Sequence, residues 1–148
     1  MDWNLGLIGA GIVMGISAIG SGVGLSIAGT AVIGAWKKCY LANKPAPMTL
    51  LAFAGAPLTQ TFYGFILGLL FIKPAALAHP EFGSLYLAIG IASGVAICIS
   101  AIVQGKCGAA GADATSETGL GFANYMIVVG MCETIAIFSM VLSMISLS

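Results

Sequence analysis

Hydrophobic positions in this chain fall into four long runs, and polar ones gather between them. The pattern predicts helices over about 5–36, 49–72, 82–112 and 120–147, each close to or above the ~20 apolar residues that cross a bilayer. The connections are Lys37–Met48 with Pro45 and Pro47, Lys73–Glu81 with Pro74 and Pro80, and Asp113–Gly119, all rich in turn formers. Strict alternation of apolar and polar residues is missing, which argues against a membrane β-barrel. The expected fold is an all-α membrane protein of four transmembrane helices.

The runs are related in pairs. Ile16-Ser17-Ala18-Ile19 recurs as Ile99-Ser100-Ala101-Ile102, with Gly11 matching Gly94, Gly22 matching Gly105 and Ala31 matching Ala114. Gly55-Ala56-Pro57-Leu58-Thr59 aligns with Gly130-Met131-Cys132-Glu133-Thr134. Two tandem duplicated hairpins are expected, residues 1–78 and 79–148. The first helical run is rich in glycine, including the small-xxx-small pairs Gly11–Gly15 and Gly20–Gly24, a composition suited to close helix packing where lipid gives no hydrophobic drive.

Composition reinforces the membrane reading. Residues are 59% hydrophobic and 7% charged, with mean hydropathy +1.08, against about 25% charged in soluble domains. No basic patch suggests nucleic acid, and no phosphate-binding loop suggests a nucleotide-hydrolysing subunit. Cys39, Cys98, Cys107 and Cys132 lack metal-ligand spacing and read as small hydrophobes. No secretory signal is evident, so the first helix is expected to stay in the mature protein. Lys37, Lys38 and Lys44 mark the first connection and Lys106 lies toward the third, against Lys73 alone on the other side. The positive-inside rule therefore puts the 1–2 and 3–4 loops in the cytoplasm, with both termini, including Asp2, outside.

Glu133 is the exception among the acids, because it falls mid-run in the fourth helix. A charge there costs about 2.5–3.5 kcal/mol on the mildest insertion scale. It must be protonated, paired with a cation or surrounded by donors. Ala56, Thr59, Gln60 and Tyr63 are spaced i, i+3, i+4, i+7, one stripe on one face of the second helix. Pro57 lacks the N–H that would bond the Phe53 carbonyl beside it. Counted from the two cytoplasmic turns at about 1.5 Å per residue, Gln60 and Glu133 reach nearly the same depth, with Gln104 roughly 7 Å short. Hydroxyl and amide oxygens at that level suit a hard cation or a hydrogen-bond network.

Ala56-Pro57-Leu58-Thr59-Gln60-Thr61-Phe62-Tyr63-Gly64-Phe65 resembles the P-G-T-Q-x-x-Y-G-F stretch of sodium-translocating V-type ATPase rotor-ring proteolipids (the K/c subunits). Gln104-Gly105-Lys106 is similar to their Q-G-K, and Glu133-Thr134 to their E-T; the resemblance covers essentially the whole chain. It implies a non-catalytic rotor component with one cation carried on Glu133, Na+ in preference to H+, and no organic cofactor. Thr59, Gln60, Gln104 and the main-chain carbonyl of Ala56 would complete the ion site, and Tyr63 would lock it by hydrogen bonding Glu133. Implied partners are identical copies in a ring, a stator membrane subunit of the a/I type, central-stalk subunits at the cytoplasmic loops, and lipid, in a bacterial or archaeal plasma membrane. The chain departs from the motif at Leu58, where glycine is usual, and at Ala56, where a larger apolar residue is. A proton-carrying ring subunit is the nearest rival. A small four-helix proton-coupled antiporter is a distant one, since that family carries its glutamate in the first helix.

Overall fold

The computed structural model describes residues 4–147; Asp2 and Ser148 lie outside them. Four helices are long and apolar enough to cross a membrane, and no strand occurs among the described residues. They are α1 (Leu5–Leu41), α2 (Met48–Ala78), α3 (Gly83–Thr118, entered through a 3-10 turn at Pro80–Phe82) and α4 (Phe122–Ile145). Asn4 caps α1, its side chain accepting from the amides of Gly6 and Leu7 at 3.0 and 3.2 Å.

Three helices run past their expected ends. Nothing breaks α1 until the turn at Asn43, where φ is 53°, so Lys37–Leu41 stay helical. The second helix continues through Lys73–Ala78 despite Pro74, which removes the amide that Leu70 would otherwise bond. The widened π-type turn Ile66–Ile72 precedes it and absorbs the mismatch. Asp113–Thr118 extend α3, and Lys38 of α1 pairs with them, its Nζ 2.8 Å from Asp113 and 3.0 Å from Glu117. Gly119, at φ 69°, then ends the helix in the left-handed conformation. These ion pairs bring the ends of α1 and α3 together on one side of the bundle.

The heart of the fold is the α1/α3 crossing, where backbone meets backbone. A Cβ placed on Gly20 would lie 2.5 Å from Cα of Cys98, and one on Gly9 2.6 Å from the Tyr86 carbonyl. Gly24 is equally closed by the Ala101 carbonyl, and Gly105 by Gly24 itself. Gly11, Gly15, Gly22 and Gly29 have open space around them instead. The two small-residue pairs of the sequence therefore serve different faces. Gly20–Gly24 closes the interior, and Gly11–Gly15 lies on an outer face of α1.

The helices α2 and α4 flank this pair. One apolar cluster joins Val13, Leu67, Ile72, Ile97 and Ala136 toward one end. Another joins Ala28, Val32, Leu50, Phe53 and Val129 toward the other, where Phe53 packs edge-on against Phe122 with centroids 5.3 Å apart.

Candidate functional site

Between the two clusters lies a polar layer built by α2, α3 and α4. Pro57 interrupts the regular hydrogen bonding of α2, and residues Ala56–Leu58 tighten into a 3-10 turn. The Phe53 carbonyl, deprived of a donor at Pro57, packs over Gly108; a Cβ there would come within 2.7 Å of it. Thr59 and Gln60 begin the next helical stretch. Gln60 is fully buried, and Gln104 reaches it from α3, 1% exposed.

These two amides bond directly, Gln60 Nε2 donating to Gln104 Oε1 at 2.7 Å. Gln104 Nε2 donates in turn to the Val129 carbonyl at 3.1 Å and, at 3.5 Å, to Glu133 Oε2. The other carboxylate oxygen accepts a short 2.5 Å bond from the Tyr63 hydroxyl. Thr59 Oγ1 stands 3.0 Å from the Ala56 carbonyl and 3.3 Å from Gln60 Oε1. Gln60, Tyr63, Gln104 and Glu133 thus form one connected network, and Thr59 and the Ala56 carbonyl join it through Gln60. The depth shortfall expected for Gln104 is closed by its own side chain and those of Gln60 and Glu133.

Ser100 also belongs to this layer, although the sequence marked it only as part of a repeat. Its hydroxyl donates to the Cys132 carbonyl at 2.8 Å and lies 3.5 Å from Gln60 Nε2. It ties the backbone next to Glu133 to α3. The sequence signal that could have found it is its spacing: Ser100 and Gln104 are i, i+4 on one face of α3.

Burial is graded across the site. Both glutamines are enclosed, while Glu133 and Tyr63 are only partly buried, at the rim between α2 and α4. A carboxylate in that position can exchange a proton or ion with its surroundings while its oxygens stay hydrogen bonded. The donor set is one acid plus neutral amide, hydroxyl and carbonyl oxygens. Among the described residues no three His, Cys, Asp or Glu side chains cluster as transition-metal ligands would. The chemistry available is reversible charge compensation of one carboxylate. Leu58, within the Ala56–Thr59 stretch, is 42% exposed.

Residues 87–146 match the family model for the C subunit of ATP synthase. The chain is 33% identical over 144 residues to the A-type ATP synthase subunit K of Methanocaldococcus jannaschii, an alignment covering 97% of this chain. It spans 61% of that relative's length. Residues 87–146 are therefore similar to the C subunit of ATP synthase, and nearly the whole chain is similar to that A-type ATP synthase subunit K.

Proposed function

We propose that this chain is a rotor-ring subunit of a rotary A/V-type ATPase and carries one sodium ion per copy on Glu133. Identical copies form the ring. Each takes an ion from a stator membrane subunit, passes lipid with its charge neutralised, and releases the ion where a stator cation competes for the carboxylate. A bare carboxylate could not make that passage, because entering hydrocarbon costs it several kcal/mol. Moving each charge against 100 mV takes about 2.3 kcal/mol, which nucleotide-hydrolysing subunits supply through a central stalk on the 1–2 and 3–4 loops. This chain is non-catalytic, and its setting is a bacterial or archaeal plasma membrane with those loops cytoplasmic.

The observation that carries the reading is that Gln60, Tyr63, Gln104 and Glu133, from three helices, share one hydrogen-bonded layer. Sodium is favoured by the oxygens beside that layer. Thr59 Oγ1, Gln60 Oε1 and the Ala56 carbonyl form a cluster of hard neutral donors, which a carboxyl that only takes a proton does not need. Gln60, Thr59, Gln104, the Ala56 carbonyl and Glu133 hold the ion, and Tyr63 closes the site over it.

Carbodiimide labelling of Glu133 in the purified oligomer tests this. Sodium should slow labelling near neutral pH. Labelling that follows pH and ignores sodium would assign the site to protons instead.

A further inference from the structure

One residue from Glu133, two thiols face each other across the α3/α4 crossing. Cys107 Sγ and Cys132 Sγ are 3.5 Å apart, and both cysteines are free and partly buried. In the register of the internal duplication their counterparts are Gly24 and Pro57. Those two also pack together, since a Cβ on Gly24 would come within 2.8 Å of Pro57 Cβ. The same crossing of an inner and an outer helix is therefore built twice, once from groups that cannot bond covalently and once from two thiols. A groove of about 270 Å³ beside Cys107 is lined by Cys107, Ala110, Gly111, Ala114, Tyr125 and Val128. It is wide enough for a small neutral oxidant. Cys39 is buried near the first turn and Cys98 backs onto Gly20; among the described residues neither bonds a second sulfur.

We propose that Cys107 and Cys132 form a reversible disulfide under oxidants of the peroxide class, pinning α4 to α3 beside Glu133. One sulfur attacks a peroxide oxygen, the O–O bond breaks, and a sulfenic acid forms with release of one water. The second sulfur then attacks the sulfenic sulfur, the S–O bond breaks, and the S–S bond forms with release of another water. The two thiols together lose two electrons and two protons, and hydrogen peroxide takes up both. The sulfurs must close by about 1.5 Å to reach bonding distance near 2.05 Å, a movement that side-chain rotation can supply. Glu133 follows Cys132 directly, so the bond repositions the carboxylate relative to Tyr63 on α2. That consequence for ion exchange rests on the function proposed above; formation of the bond does not.

The test uses the full-length protein in its native membrane. It is exposed to graded hydrogen peroxide, alkylated, and mapped by mass spectrometry. Cys107 and Cys132 should escape alkylation together, with loss of two hydrogens, and should recover with a dithiol reductant. Cys39 and Cys98 should remain alkylated throughout. Cys107→Ser and Cys132→Ser should each abolish the cross-link. Full alkylation of both residues after peroxide, or separate over-oxidation of each, would overturn the proposal. In a second arm, oxidation should slow carbodiimide labelling of Glu133 severalfold. A disulfide that forms without changing the labelling rate would overturn the pinning of the site. If the disulfide forms but labelling ignores sodium in both redox states, the sodium reading fails and the disulfide stands.

Discussion

At matching levels of the two hairpins, the outer helices present different residues to the same scaffold. In α4 the position holds Glu133, bonded to Tyr63 and Gln104. In α2 the equivalent position holds Leu58, exposed on the surface. The substitutions run through the whole neighbourhood. Where the intact site has Gln60, Tyr63 and Gln104, the duplicated register gives Ile135, Phe138 and Ser21. Of these only Ser21 keeps a polar group, and its buried hydroxyl lacks a hydrogen-bond partner. The acid stands where three neighbours supply donors, and a leucine stands where they do not. The carboxylate and its layer go together, because an intramembrane carboxylate without partners costs more than a leucine.

Substitutions can break this contrast, beginning with the largest effect. Glu133→Gln should abolish sodium-sensitive labelling and ion transport completely while the oligomer still assembles, since the amide keeps the shape of the acid; electrophoresis of the intact oligomer checks assembly. Leu58→Glu restores the second acid without its neighbours. It should cost about 2.5–3.5 kcal/mol of membrane insertion, seen as reduced yield and thermal stability, and sodium should not protect the new carboxyl. Gln104→Leu leaves one Glu133 oxygen without its donor and the Gln60 amide with only the long contact to Ser100. Losses of about 1–3 kcal/mol follow from such orphaned buried groups, so sodium should bind roughly ten- to a hundredfold more weakly in an equilibrium binding assay. Ser100→Ala removes one bond to the Cys132 carbonyl. It should cost about 0.5–1.5 kcal/mol, with weakened sodium protection and an unchanged labelling maximum.

Much of this architecture could be read from the chain. Hydropathy locates the four helices because lipid imposes a minimum apolar length, and the repeat is explicit in the two Ile-Ser-Ala-Ile segments. Glu133, Gln60 and Gln104 stand out because polar groups are costly at that depth. Helix ends were less legible. Asp113–Thr118 have a turn-like composition, yet they stay helical, with Asp113 and Glu117 paired to Lys38, 75 positions before Asp113. Pro74 looked like a breaker until a widened turn absorbed it. Ser100 was hidden because a serine in a glycine-rich helix ordinarily packs. The pairing of Cys107 with Cys132 was hidden because it depends on a crossing 25 residues apart in sequence.

Equilibrium binding of radiolabelled sodium to the purified, detergent-solubilised oligomer reaches the central claim most directly. Saturable binding of one ion per chain, competed by protons and lost in Glu133→Gln, is the expected result. Absence of saturable sodium binding in an intact oligomer whose Glu133 still reacts with carbodiimide would contradict it.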